Sequence, residues 1–186
     1  MSLRHRNNLT ECTHFFVTTT VVEFLNVFYD ETACELLIKN IKYYQKKYNF
    51  VILGYVIMPS HFHWIVEVNK SHGTISDIMR DIKKYSAWDI MDYVSKRKNE
   101  YDKVFIESSN RYTDQKRKFW KPRFYDEVIR NEKMFWSKLH YIHNNPVKAG
   151  LVTKPEDFRY SSTRNYIFGD QSVLEVDVSY AGIEMK

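Results

Sequence analysis

Alternating apolar and polar positions make residues 61–68 the clearest predicted strand of the chain. Residues two apart on a strand point to the same face, so one face is apolar throughout: Phe62, Trp64, Val66 and Val68. The opposite face begins with His61 and His63. An apolar run over residues 50–57 precedes this strand, and the short connection through Pro59 and Ser60 predicts an antiparallel hairpin. We therefore expect a sheet with one face for packing and one for chemistry.

Helical spacing and β-branched runs predict the other elements. In chain order these are a strand over 13–22, a helix over 31–47, the hairpin, a helix over 74–96, a strand over 124–129 and a helix over 131–145. Thr74 is a suitable N-cap for the second helix. The last helix is expected to stop at Asn145, because Pro146 disfavours helical geometry in the residue before it and has no N–H to donate.

The order of these elements predicts a single α+β domain over residues 1–186, with a mainly antiparallel sheet and packed helices. Residues 98–118 are polar and charged without a clear period. They are interpreted as an insert: a loop, a mobile lid or a continuation of the preceding helix. Residues 170–186 are expected to form a loosely held tail.

Composition and charge suggest a partner. The chain has 186 residues, of which 16% are aromatic, and a net charge of +5 with a pI near 9.0. This balance favours single-stranded nucleic acid, which proteins hold by phosphate contacts and base stacking. Cys12 and Cys34 have no metal-ligand spacing and indicate free thiols. The start of the chain lacks the apolar core of a signal peptide and no apolar run could span a bilayer, so we expect a cytoplasmic protein with no membrane partner.

Candidate chemistry starts from the histidine pair. His61 and His63 lie on one face of their strand and could converge on one metal ion. Tyr141 and Asn145 are four residues apart, so both lie on one face of the last helix. A tyrosine hydroxyl is a weak nucleophile at neutral pH, because its pKa is about 10. It becomes effective when a cation stabilises the charge that develops on the electrophile, and Asn145 could lend its amide oxygen as a third ligand.

These residues resemble a known family. A His-hydrophobic-His strand followed by a helical tyrosine is the signature of the HUH single-tyrosine nucleases. Three motifs are similar more specifically to the REP-associated tyrosine transposases: residues 58–63 (MPSHFH), 120–126 (WKPRFYD) and 141–152 (YIHNNPVKAGLV). The resemblance covers roughly residues 13–162, the predicted core, and the 98–118 insert departs from better-known members. It implies a ferredoxin-like, HUH-type sandwich in a bacterial, nucleoid-associated protein that acts as a monomer or homodimer.

The resemblance also implies a reaction. Tyr141 would be the nucleophile, and His61, His63 and Asn145 would hold Mg²⁺ or Mn²⁺. Members of the family cut single-stranded DNA near hairpins formed by palindromic repeats. They leave a transient 5′-phosphotyrosine and a free 3′-OH, which can reverse the reaction and rejoin strands.

Other residues compete for these roles. Tyr85 follows the basic pair Lys83 and Lys84 on a predicted helix, and we interpret it as a packing or stacking residue. His143 points nearly away from Tyr141, whereas His140 is adjacent and could support the site. The predicted DNA-binding residues are basic or aromatic: Lys83, Lys84, Lys116, Arg117, Lys118, Trp120, Lys121 and Arg123.

Two other functions are also compatible with the sequence. A non-catalytic module that binds nucleic-acid hairpins would keep its affinity without metal and with Tyr141 replaced by Phe. A hydrolase using a metal-bound water would still turn over without the tyrosine, but would fail without His61 or His63. Both histidines and Tyr141 are present in the chain, which favours the transposase over the binding module.

Overall fold

A four-stranded antiparallel sheet forms the centre of the protein. The computed structural model describes residues 12–97, 99–112 and 116–179; the polar start of the chain lies outside these ranges. The strands are β1 (Cys12–Thr20), β2 (Val51–Met58), β3 (His61–Asn69) and β4 (Tyr125–Ile129). Their order across the sheet is β2-β3-β1-β4, with every neighbouring pair antiparallel. The predicted α+β class, the antiparallel sheet and the hairpin are thereby confirmed.

Within these described ranges, five α-helices accompany the sheet: α1 (Glu31–Tyr48), α2 (Ile75–Ser95), α3 (Asn99–Tyr112), α4 (Glu132–Lys148) and α5 (Thr163–Phe168). Side chains cap α1, α2 and α4. Asp30 accepts from the N–H groups of Thr32 and Ala33 before α1, and Thr74 and Asp77 form a capping box at α2. Asn131 accepts from the N–H of Met134 at α4. No helix in the described ranges combines the length and apolar character needed to cross a membrane.

Both faces of the sheet are covered, and this corrects the expectation of one packing face. The larger core contains the predicted apolar side chains of β3, together with α1, α2 and Phe105 of α3. The opposite face carries a smaller core in which Phe16, Val56 and Ile65 pack against α4. His61 and His63 share this second face, at the end of the sheet where Thr18 of β1 lies opposite His63. Helix α4 is therefore packed on the same face as the histidines.

Residues 98–118 contain a separate helix rather than a loop. Helix α3 buries Phe105 completely against Phe119, with ring centroids 5.5 Å apart, and the N–H of Lys118 donates to the carbonyl of Phe105 at 2.8 Å. The buried positions that follow Phe105 are Ser108 and Ser109. Because these two positions are polar, the helix shows no apolar period in the sequence. The interpretation as a loop or mobile lid is wrong for residues 99–112.

Helix α4 continues past Pro146, contrary to the prediction. Pro146 is buried inside the helix, which ends only at Lys148. Proline removes one hydrogen bond, but the following groups close the last turn: the N–H of Ala149 donates to the carbonyl of Asn145 at 3.0 Å. Gly150 then ends the helix with φ +69°, a conformation that favours glycine. Asn145 therefore remains in helical geometry one turn after Tyr141.

The described part of the tail is packed against the protein. Leu174 and Val176 are buried in the larger core, and the N–H of Asp177 donates to the carbonyl of Ile52 at 2.9 Å. This segment covers part of the free edge of β2, which would otherwise expose unpaired backbone groups. The expectation of a loosely held tail is wrong for residues 170–179, and residues 180–186 lie outside the described residues.

Gly54 allows α4 to approach the sheet closely. A Cβ atom at this position would lie 2.6 Å from Cδ1 of Leu139, which is buried in the smaller core. Gly54→Ala is therefore expected to lower the free energy of unfolding by about 1–3 kcal/mol through overpacking. Leu139→Ala alone should cost about 2–5 kcal/mol. In the double variant the new methyl group occupies the vacated space. The loss of unfolding free energy, measured by denaturant unfolding, should therefore be smaller than the sum of the losses in the two single variants. Strictly additive losses would contradict this packing.

Candidate functional site

His61 and His63 stand side by side at the start of β3. Their ring centroids are 4.8 Å apart and the rings are inclined by 78°. The Nδ1 atom of His63 lies 2.7 Å from Oγ1 of Thr18, and that of His61 lies 3.1 Å from Oγ of Ser60. Within the described part of the chain, the buried Nε2 atom of His63 has no hydrogen-bond partner. A buried polar atom without a partner is costly, so this nitrogen is a candidate ligand atom.

Burial keeps both histidines neutral near pH 7. Desolvation lowers the pKa of His61. It also lowers the pKa of His63 to about 3, with smaller contributions from the nearby His61 and Lys138. A neutral imidazole keeps a lone pair on one ring nitrogen, which is the form that binds metal ions.

Tyr141 reaches the histidine pair from α4. Its ring lies edge-on to His63, with 5.2 Å between ring centroids, and 6.0 Å from the ring of Phe16. The side chain remains 42% exposed, so a large substrate can approach it. An open pocket of about 360 Å³ is lined by Phe16, Thr18, His63, Tyr125, Lys138 and Tyr141. The structure thus brings together the predicted tyrosine and the predicted histidines.

Asn145 lies one turn beyond Tyr141 on α4 and is half-buried. Among the described residues its side-chain amide makes no hydrogen bond, and none joins it to either histidine. The same part of the chain contains no group of three His, Cys, Asp or Glu side chains that could share a metal ion. A metal bound here would therefore need an amide oxygen or water beside the two imidazoles. The role of Asn145 as third ligand stays a prediction.

Lys138 is a pocket residue that the sequence reasoning missed. Its Nζ lies 2.6 Å from Oε2 of Glu127 and 4.7 Å from the ring centroid of Phe16. Tyr125 donates its hydroxyl to the same Glu127 oxygen at 2.9 Å. The hydrogen bond from Lys138 is the main cause that lowers the pKa of Glu127. Lys138 is three residues before Tyr141 on one helical face, and that spacing was the available signal. It places a cation beside the tyrosine.

The competing residues lie elsewhere. Tyr85 belongs to α2, on the other side of the sheet, and its ring packs near Tyr44 and Trp88 with centroid distances of 5.8 and 5.2 Å. His143 accepts or donates one hydrogen bond at 2.8 Å with Oγ of Ser162, and burial lowers its pKa to about 4. Neither residue lines the pocket that contains Tyr141.

A basic groove of about 700 Å³ lies between α2 and residues 116–124. Five of the predicted DNA-binding lysines and one arginine line it: Lys83, Lys84, Lys116, Arg117, Lys118 and Lys121. Trp88 also lines the groove and is largely exposed, with Nζ of Lys84 5.0 Å from its ring centroid. Cations beside an exposed aromatic ring suit phosphates and stacked bases.

Two of these cations also support the protein itself. Lys83 donates to the backbone carbonyl of Lys121 at 2.8 Å, and burial lowers its pKa to about 8, with a smaller effect of Lys118. Arg117 donates to Asp102 at 3.2 Å and to Ser95 at 3.0 Å. These contacts hold the walls of the groove, and the predicted phosphate contacts of both residues stay predictions.

Trp120, predicted to bind DNA, borders the groove, but its burial contradicts a stacking role. The residue is only 3% exposed, and its ring packs against Phe28, Phe62 and Phe119, while Nε1 donates to Oγ of Ser86 at 3.1 Å. A buried indole cannot present a face to a base. Its sequence neighbour Arg123 is exposed at the turn before β4, outside the residues that line the groove.

Comparison with known proteins identifies similar chains. Residues 12–145 match the family described as IS200-like transposases. The REP-associated tyrosine transposase of Escherichia coli (strain K12) is 28% identical over 113 residues, which is 61% of this chain and 54% of that protein. A relative from Haemophilus influenzae is 26% identical over 115 residues, 62% of this chain and 60% of the relative. The chain thus spans less than two thirds of the length of these curated relatives.

A solved structure has the same fold. The REP-associated tyrosine transposase bound to a REP hairpin superposes with a TM-score of 0.65. The match covers 98% of this chain and 92% of that one, at 24% sequence identity.

Proposed function

The chain belongs to the IS200-like transposase family, and from this premise we propose that it cleaves and rejoins single-stranded DNA with Tyr141 as the nucleophile. The observation that carries the proposal is the contact between Tyr141 and His63, whose ring centroids are 5.2 Å apart in an open pocket. The exposed tyrosine is accessible to a phosphodiester, and the neighbouring buried imidazole has a nitrogen without a partner among the described residues that could hold a cation.

The proposed reaction exchanges one phosphoester bond for another. The hydroxyl oxygen of Tyr141 attacks phosphorus in line and loses its proton to solvent. The P–O3′ bond breaks, and the departing 3′ oxygen takes up a proton, leaving a 5′-phosphotyrosine and a free 3′-OH. Attack by a 3′-OH on the phosphotyrosine reverses these steps and joins strands. Lys138, on the pocket wall beside Tyr141, can contact a phosphate oxygen during both reactions.

The residues present fit a divalent metal ion. His63 offers a buried Nε2 atom without a partner among the described residues, and Asn145 offers an amide that makes no hydrogen bond there. We propose that His61, His63 and Asn145 hold Mg²⁺ or Mn²⁺, which when bound neutralises charge on the phosphate oxygens. Imidazole and amide ligands accept several divalent ions. Thr18 orients the His63 ring through its 2.7 Å contact with Nδ1, as outer partners of metal-binding histidines do.

The proposed substrate is single-stranded DNA that carries a palindromic hairpin. The basic groove beside α2 and the exposed Trp88 support this choice. The solved relative with the same fold is described as bound to a REP hairpin, which supports it further. We propose that the chain acts as a monomer or a homodimer, with Tyr141 and His63 of the same chain forming the pocket.

Neutralising the groove should weaken binding in a salt-dependent manner. Lys84 and Lys116 are exposed in the groove. The double variant Lys84→Gln, Lys116→Gln is expected to reduce the slope of log K against log salt by about 0.7 for each phosphate of the single strand that the protein no longer neutralises. Fluorescence anisotropy with a labelled hairpin oligonucleotide measures this slope. Lys39→Gln, on the exposed face of α1, is the matched control. An unchanged slope in the double variant would contradict the role of the groove.

A further inference from the structure

The segment that follows β1 has an unusual backbone. The strand was expected to continue to Val22, but it ends at Thr20, and Glu23 and Phe24 adopt positive φ angles of 48° and 54°. Neither residue is glycine, so this left-handed conformation is strained. Such strain persists only where the surrounding structure enforces it. Here the N–H of Val21 donates to the carbonyl of Ser60 and that of Val22 to the carbonyl of Phe119, both at 2.8 Å.

The strained turn presents an aromatic ring to solvent. Phe24 is 61% exposed, and Nζ of Lys121 lies 3.5 Å from its ring centroid. Single exposed apolar side chains are common on proteins and need no explanation. Phe24 differs because its backbone is strained and a cation covers one side of its ring, which leaves the rest of the ring open. This pair offers an aromatic face and a positive charge at the same point.

Backbone contacts connect the Phe24–Lys121 pair both to the groove and to the residues beside His61. Lys121 lines the groove, and its backbone N–H donates to the carbonyl of Thr20 at 2.8 Å. Thr20 is the residue of β1 that lies opposite His61, and Ser60, which anchors the turn, directly precedes His61. The pair is therefore joined through Lys121 to the groove and through Thr20 and Ser60 to the strand ends that carry the histidines.

We propose that Phe24 stacks on an unpaired nucleobase of the single-stranded DNA that flanks the cleaved phosphodiester, while Lys121 contacts the adjacent phosphate. The inference rests on the proposed function, because it requires single-stranded DNA as the substrate. Charge complementarity argues for this occupant: the aromatic ring adjoins Lys121, which is one of the lysines that line the groove. Stacking on aromatic side chains is tolerant of sequence, so Phe24 would hold the strand in position rather than select a base.

The test uses hairpin oligonucleotides with 2-aminopurine placed at successive positions of the single-stranded flank. The full chain with Tyr141→Phe serves as the parent, so that no cleavage interferes with binding. Binding is expected to quench 2-aminopurine at one or two adjacent positions. Phe24→Asn should remove this quenching and weaken binding about tenfold, since asparagine tolerates positive φ but offers no aromatic face. Phe24→Trp should retain the quenching.

A matched control separates stacking from general effects of losing an aromatic residue. Phe168 on α5 is 60% exposed and has the guanidinium carbon of Arg164 5.5 Å from its ring centroid. It lines neither the groove nor the pocket, so Phe168→Asn should leave quenching and affinity unchanged. Phe24→Leu keeps the apolar bulk without the aromatic face and should lose the quenching, as Phe24→Asn does. This second variant tests the stacking role if Phe24→Asn fails to fold.

The outcomes distinguish this inference from the proposed function. Unchanged quenching and affinity in Phe24→Asn or Phe24→Leu would overturn the inference while the proposed function stands. If no single-stranded oligonucleotide binds the parent, the proposed function fails and the inference falls with it. Binding with quenching that depends on Phe24, in a protein whose wild type never cleaves, would retain the stacking site and refute the proposed reaction.

Discussion

Replacing Tyr141 with Phe is expected to lower the rate of single-strand cleavage by at least about a thousandfold, because the variant has no oxygen to attack phosphorus. The change removes one exposed hydroxyl and keeps the ring that contacts His63 and Phe16. Affinity for the hairpin oligonucleotide should therefore change by no more than about threefold. Single-turnover cleavage of an end-labelled oligonucleotide with Mn²⁺ measures the rate, and anisotropy measures the affinity.

Tyr85→Phe is the matched control for this prediction. Tyr85 is also a partly exposed tyrosine on a helix, but it packs beside Tyr44 and Trp88 on the other side of the sheet. Its variant should cleave at the rate of the wild type. A hydrolase that uses a metal-bound water would retain turnover in Tyr141→Phe. A module that only binds hairpins would show no cleavage in the wild type, and either result would contradict the proposed role of Tyr141.

His63→Ala is expected to remove both metal binding and cleavage. Loss of residues that merely orient metal ligands costs about 10–100-fold in metal affinity, and loss of a ligand should cost at least as much. Isothermal titration calorimetry with Mn²⁺, in the absence of DNA, measures the affinity independently of activity. We expect this result because the buried Nε2 atom of His63 has no hydrogen-bond partner in the described part of the chain and is therefore available to a metal ion.

His143→Ala provides the control for the loss of an imidazole. His143 is half-buried, and its Nε2 is hydrogen-bonded to Ser162 at 2.8 Å. Its replacement should alter stability without altering Mn²⁺ affinity. Thermal unfolding of both variants shows whether each remains folded. Equal Mn²⁺ affinity in His63→Ala and the wild type would contradict the proposed ligand set.

The fold was largely predictable because apolar and polar residues alternate clearly along a central strand of the sheet. The alternation of Phe62, Trp64, Val66 and Val68 matches the larger core, and the short connection before His61 matches the hairpin. Helix α3 was not recognisable, because buried serines follow Phe105 where an apolar stripe would be expected. The end of α4 was misplaced because tertiary packing buries Pro146 and closes one further turn despite the missing N–H.

The site was predictable where its residues are close in sequence. His61 and His63 share a face by their spacing, and the motif around Tyr141 indicated the family to which the chain belongs. Lys138 was missed because its position in the pocket depends on Glu127 and Phe16, which lie on two different strands. Trp120 was misassigned because composition cannot distinguish a buried aromatic ring from an exposed one. Phe24 could not be recognised from the sequence, because its strained backbone conformation exists only in the folded chain.

The most direct test of the central claim is to identify the residue that becomes attached to DNA. Wild-type protein is incubated with Mn²⁺ and a single-stranded hairpin oligonucleotide, and the covalent adduct is isolated under denaturing conditions, digested with trypsin and mapped by mass spectrometry. The proposal predicts a nucleotide on the peptide spanning residues 139–148, whose single tyrosine is Tyr141. Attachment to the peptide spanning residues 85–96, which contains Tyr85, or cleavage without any adduct, would contradict it.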